Sequence, residues 1–130
     1  MDELIIYSKI DSLKRCIERI KSKSPESLEI LKSDLDCQDI IILNLERSVQ
    51  ICVDIAAYII AELDVQAPLN MSDGFNELGK IGIIDKKTAE RMRKSVGFRN
   101  IAVHEYSKVS WEIVYSIIKK DLSDFRHFAR

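Results

Sequence analysis

The segment from Asp36 to about Leu63 constrains the fold of this chain more than any other, because apolar residues nearly encircle it. Ile41, Leu45, Val49, Cys52, Ala56 and Ile59 or Ile60 form one stripe at helical spacing, while Ile42, Val53 and Ile55 lie on other faces. A helix that is apolar on more than one side needs more than one neighbour. A four-helix bundle supplies them, and so does a bundle that dimerises. Asn44, Glu46, Arg47, Gln50 and Asp54 interrupt the run, so the segment is not expected to span a membrane.

Shorter amphipathic segments surround this one. Ile6, Ile10, Leu13, Ile17 and Ile20 repeat at alternating steps of four and three, which predicts a first helix over Asp2 to Lys23. Ser24-Pro25-Glu26 reads as a helix start, with Ser24 as N-cap, for a short piece ending near Ser33. Asp36 or a neighbour should cap the central helix. Val65 to Met71 contains Pro68 and reads as a loop. Ser72 should cap a short helix through Phe75 and Leu78 that ends near Gly79 or Gly82. Asp85 should cap a helix from Lys86 to about Phe98, with Ala89, Met92 and Val96 facing inward. Ser110 should cap the last helix, which starts at Trp111 and carries Val114, Ile118, Leu122 and Phe125 on one stripe. The prediction is one all-α domain over residues 1–130, an up-and-down bundle of four to five main helices.

Composition narrows the function classes. Four Gly and two Pro in 130 residues favour long helices over a turn-rich β fold. Three scattered cysteines, Cys16, Cys37 and Cys52, show neither disulfide nor metal-ligand spacing and read as small apolar residues. No metal or other cofactor is implied. The N-terminal residues lack the pattern of a signal peptide, so the expected compartment is the cytoplasm. A formal net charge of −1 argues against a broad nucleic-acid-binding surface. Charge is unevenly distributed, however. Lys86, Lys87, Arg91, Arg93, Lys94 and Arg99 are opposed in their stretch only by Asp85 and Glu90. That bias suits an anionic ligand such as RNA phosphate, and charge alone does not distinguish it from a solvated helix face.

The stretch ends in Arg99-Asn100-Ile101-Ala102-Val103-His104-Glu105-Tyr106. RNA is cleaved without metal when its 2′-hydroxyl attacks the adjacent phosphorus, which requires a base for the hydroxyl proton and an acid for the leaving 5′-oxygen. Imidazole suits both tasks because its ordinary pKa is about 6.5. A guanidinium fork can hold the phosphate and stabilise its growing charge. Residues five apart on a helix point about 140° apart. Arg99 and His104 can therefore share a site only if the helix distorts or ends between them, or if a second subunit completes the site. His104 and Tyr106 would project to one side of an extended segment, so the chain is expected to leave regular helix near His104. Structural roles, an Arg paired with a carboxylate and a His near a helix end, fit the same residues. His127, beside Phe125 and Phe128, reads as packing or surface.

The string from Arg99 to Tyr106 resembles the R-x(4)-H-x-Y signature of the HepT family, toxins of the HEPN superfamily. The helix order, the phrase from Asp39 to Arg47 and the run Val96 to Asn100 are also similar to that family. The resemblance implies a HEPN-like bundle that forms homodimers, with the motifs of both subunits flanking one cleft. It implies metal-independent endoribonuclease activity in which Arg99 binds the scissile phosphate, His104 transfers protons, and Asn100 and Tyr106 position the substrate. Tyr106 matches the Tyr that receives AMP from the partner, a minimal nucleotidyltransferase antitoxin of the MntA kind. Assemblies larger than a homodimer with that antitoxin stay open. Asp39, Asn44, Arg47 and Asp54 are candidate supporting residues, and Glu105 adds a negative charge beside His104. The alternatives are a noncatalytic HEPN adaptor that binds a nucleotidyltransferase, and a purely structural dimerisation bundle.

Overall fold

A computed structural model describes residues 3–62 and 70–121. It contains six α-helices and no strand among the described residues. These are α1 (Glu3–Lys23), α2 (Leu28–Ser33), α3 (Leu35–Glu62), α4 (Met71–Ile81), α5 (Lys86–His104) and α6 (Trp111–Ser116). A 3-10 turn, Tyr106–Lys108, separates α5 from α6, and α6 runs into a π turn, Ile117–Asp121. No helix among the described residues is long and apolar enough to cross a membrane.

The central helix is α3. The stripe Ile41, Leu45, Val49, Cys52, Ala56 and Ile60 is buried, and so are Ile42 and Ile55 on its other faces. Helix α1 packs antiparallel to α3 through Leu13, Ile17 and Ile20, all buried. Three contacts fix the direction. Lys9 pairs with Asp54 at 3.7 Å, Cys16 lies near Arg47, and the Cys37 thiol donates to the Lys23 carbonyl at 3.1 Å. On another side of α3, Gly74 of α4 sits against Ala56 and Ile60, and Phe75 and Leu78 are fully buried. A tight turn joins α4 to α5, which returns along α3 through Met92 and Val96. Each large aliphatic side chain fully buried in this way contributes about 1.5–3 kcal/mol.

Helix ends depart from the sequence-based expectation by a few residues. Ser27, not Ser24, caps α2 by accepting from the Ile30 amide, whereas the Ser24 hydroxyl closes α1 on the Ile20 carbonyl at 2.9 Å. At the start of α3 it is Asp34, within the expected neighbourhood of Asp36, that accepts from the Cys37 amide. Buried Gln38 then clamps the end of α2 by donating to the Leu31 and Lys32 carbonyls at 2.8 and 3.0 Å. Asn70, not Ser72, caps α4, and Gly82, with φ of 90°, ends it in a left-handed cap. Asp85 and Ser110 cap α5 and α6 as predicted. Helix α5 continues six residues beyond Phe98, to His104. The Lys32–Glu112 ion pair at 2.6 Å and a Tyr115 hydroxyl donating to the Glu26 carbonyl hold α6 against the α2 region. Leu122, Phe125 and His127 lie outside the described residues.

Candidate active site

Arg99 and His104 both belong to α5, and the helix is unbroken between them. Neither distortion nor termination brings them together. At 100° per residue they point about 140° apart. Their surroundings differ accordingly. Arg99 is half-buried, with its Nε enclosed by protein, and its charge reaches Glu46 of α3. Burial pushes the Glu46 carboxyl above the ordinary glutamate range, and the Arg99 guanidinium partly opposes that rise. The Arg99 Nη1 also donates a long bond of 3.4 Å to Oδ1 of exposed Asn100. His104 is exposed and is the last helical residue.

The chain leaves the α-helix at His104, as predicted, but turns instead of extending. Glu105 caps α5 by donating its amide to the Ile101 carbonyl at 2.8 Å, and its carbonyl accepts from the Lys108 amide to close the 3-10 turn. Its side chain pairs with Lys108 at 3.5 Å. Tyr106 begins the 3-10 turn, and its side chain lies outside what is described. One chain thus brings Arg99 together with Asn100 and Glu46, while the continuous helix points Arg99 and His104 in different directions.

The supporting residues suggested on α3 mostly face elsewhere. Asn44 donates to the Ile40 carbonyl within its own helix, and with Arg47 it lines a groove against Ser12, Arg15 and Cys16 of α1. Asp54 accepts from Gln50 and pairs with Lys9 of α1. Asp39 is exposed. The α3 residue beside the motif is Glu46, which the sequence reading passed over. Its one local signal is that it is among the charged residues that interrupt the apolar run of α3.

The pattern described as HepT-like, Ribonuclease HepT-like, matches residues 13–130 of this sequence. The chain belongs to the HepT-like ribonuclease family. Its sequence is 36% identical over 124 residues to the mRNA nuclease HepT of Shewanella oneidensis, covering 95% of this chain and 92% of that protein. A putative RNase of Archaeoglobus fulgidus is 31% identical over 104 residues, covering 80% of this chain and 77% of that one. Among solved structures, the tri-AMPylated HEPN toxin of Shewanella oneidensis in complex with its MNT antitoxin superposes with a TM-score of 0.92 at 36% identity. The match covers 99% of this chain and 96% of that one. The all-α HEPN bundle expected from the sequence is therefore the fold of this HepT-like chain.

Proposed function

We propose that this chain is the toxin of a toxin–antitoxin pair and acts, as a single domain over residues 1–130, as a metal-independent endoribonuclease. The observation that carries this reading is the motif Arg99–Tyr106 at the end of α5, with a half-buried guanidinium and an exposed imidazole, in a chain of the HepT-like ribonuclease family. Because α5 turns the two groups away from each other, each active site takes Arg99 from one chain and His104 from the other in a two-fold dimer. Arg99 holds the scissile phosphate and Asn100 orients Arg99. His104 takes the proton as the 2′-oxygen bonds to phosphorus and the bond to the 5′-oxygen breaks. A second proton donor, water or a group of the partner chain, protonates that oxygen. The products are a 2′,3′-cyclic phosphate and a 5′-hydroxyl. The substrate requires that the protein work in the cytoplasm.

The partner is a minimal nucleotidyltransferase, a reading supported by the tri-AMPylated Shewanella oneidensis HEPN toxin in complex with MNT antitoxin. It transfers AMP from ATP to the Tyr106 hydroxyl with release of pyrophosphate. The added phosphate places negative charge one residue beyond Glu105 and repels RNA. A noncatalytic adaptor would have no use for the combination of Arg99, Asn100, His104 and Tyr106.

The test incubates pure protein with total RNA in EDTA. Cleavage with cyclic phosphate ends is expected, and strict dependence on a divalent ion overturns the mechanism. Adding the nucleotidyltransferase and ATP should stop cleavage and add the mass of AMP. Tyr106→Phe protein should gain no AMP, and the same treatment should leave its own rate of cleavage unchanged.

A further inference from the structure

Helices α4 and α5 approach so closely that a methyl group on Gly79 would meet the Ala89 side chain at 3.0 Å. Beside this crossing lies an open groove of about 550 Å³. Lys80 of α4 and Lys86, Arg93 and Lys94 of α5 line it, with Glu90 as the one lining carboxylate. Lys80 pairs with Glu77 at 3.6 Å and Lys94 with Glu90 at 3.7 Å, both exposed contacts of little strength. Among the described residues Lys86 and Arg93 make no ion pair. A chain whose formal net charge is −1 thus gathers four cations in one groove.

The groove and the catalytic histidine are in register. Eighteen residues separate Lys86 from His104, five whole helical turns, and eleven separate Arg93 from His104, within about 20° of three turns. Lys86, Arg93 and His104 therefore lie on one line along the exposed face of α5, and all three are exposed. Arg93 is about 16 Å from His104 along the axis at ~1.5 Å per residue, a span of about five stacked nucleotides at ~3.4 Å each. Gly97 stands between them on that line, and a side chain there would meet nothing within 4 Å. A polynucleotide strand can pass close to the helix at that point.

We propose that the α4–α5 groove binds the phosphodiester backbone of RNA at a distance from the cut, with Lys86 and Arg93 as the principal contacts. This rests on the nuclease reading above and adds a substrate preference. RNA long enough to reach from His104 into the groove binds more tightly than a short oligonucleotide. Side chains that read phosphate charge carry no base information, so the groove adds affinity without sequence preference.

The test measures binding of a twelve-nucleotide RNA and a trinucleotide across a range of salt, in a His104→Ala background so that the RNA stays intact. Lys86→Gln/Arg93→Gln should weaken binding of the longer RNA at least tenfold and remove most of its advantage over the shorter one. The slope of log affinity against log salt should become shallower by about 1.4, at ~0.7 for each lost single-strand phosphate contact. The same charge change on α1, Lys14→Gln/Lys21→Gln, should leave the slope unaltered. An unchanged slope for Lys86→Gln/Arg93→Gln overturns the groove proposal. If such a variant binds RNA normally but is no longer modified by the nucleotidyltransferase, the groove is a contact for that protein and the RNA assignment falls. Cleavage by the unsubstituted chain separates the two readings: active protein with an unchanged slope removes the groove alone, whereas a chain that neither cuts nor binds RNA removes both.

Discussion

The two motif residues differ in what their surroundings demand of them. His104 is exposed, so its removal costs the fold little. Proton transfer by a positioned side chain contributes about 10²–10⁴-fold to a rate. His104→Ala should therefore lower RNA cleavage at least about 100-fold while the melting temperature stays within a degree or so. A variant that keeps full activity removes His104 from the mechanism. Glu46 poses the opposite case, because burial raises its pKa despite the nearby Arg99. A carboxyl whose folded-state pKa is raised opposes folding increasingly between the unfolded and the folded pKa and in full above the latter, and is neutral in its effect at acid pH, where both states hold the proton. Glu46→Gln should thus stabilise the protein slightly at neutral pH, within about 0.5 kcal/mol. The gain should fade as pH drops through the window from the raised value to the ordinary glutamate value. Thermal melts of both proteins from pH 3 to 8 check the sign, and a gain confined to acid pH contradicts the assignment.

The helices were legible in the sequence where the signal is local and periodic. The buried stripes of α1 and α3 follow the 3.6-residue pattern closely, and Asp85 and Ser110 cap the helices they precede. Other ends were misread because several cap-competent residues crowd one loop. Ser24 and Ser27 compete, as do Asn70 and Ser72. Tertiary packing chooses among them, for example by burying Pro25 between α1 and α2. Helix α5 runs through Gly97 and past the end expected near Phe98. A glycine inside a helix costs about 1 kcal/mol, which burial of Val96 on one side and Ala102 on the other offsets. The nearness of Glu46 to Arg99 and of Lys80 to Arg93 joins residues of different helices, and no local pattern encodes it. Where the backbone itself imposes a residue, the consequence is measurable. Gly82 ends α4 at φ 90°, and the left-handed conformation costs a non-glycine residue about 1–2 kcal/mol. Gly82→Ala should lower the unfolding free energy by about that amount in a urea titration, with the slope unchanged. An unaffected midpoint would mean that the α4–α5 turn tolerates a side chain freely.

At the scale of the whole molecule, the direction of two side chains becomes a statement about assembly. A continuous α5 holds Arg99 toward α3 and leaves His104 exposed, so in the proposed mechanism a complete site takes a second copy of the chain. The two-fold arrangement then makes two crossed sites per dimer, each with Arg99 from one protomer and His104 from the other. Mixing tests this directly. Arg99→Ala and His104→Ala proteins should each be inactive alone. In a mixed dimer, one crossed site carries both substitutions and the other carries none. Random exchange makes about half of the dimers mixed, so the equimolar mixture should recover roughly a quarter of the unsubstituted rate. Recovery should develop at the rate of subunit exchange. A mixture that stays inactive after exchange is complete places both groups in one chain, or requires both His104 side chains in one cleft. In the first case α5 must bend between Arg99 and His104 when RNA binds. In the second, one imidazole serves as base and its symmetry mate as acid, and even a single His104→Ala subunit silences the dimer.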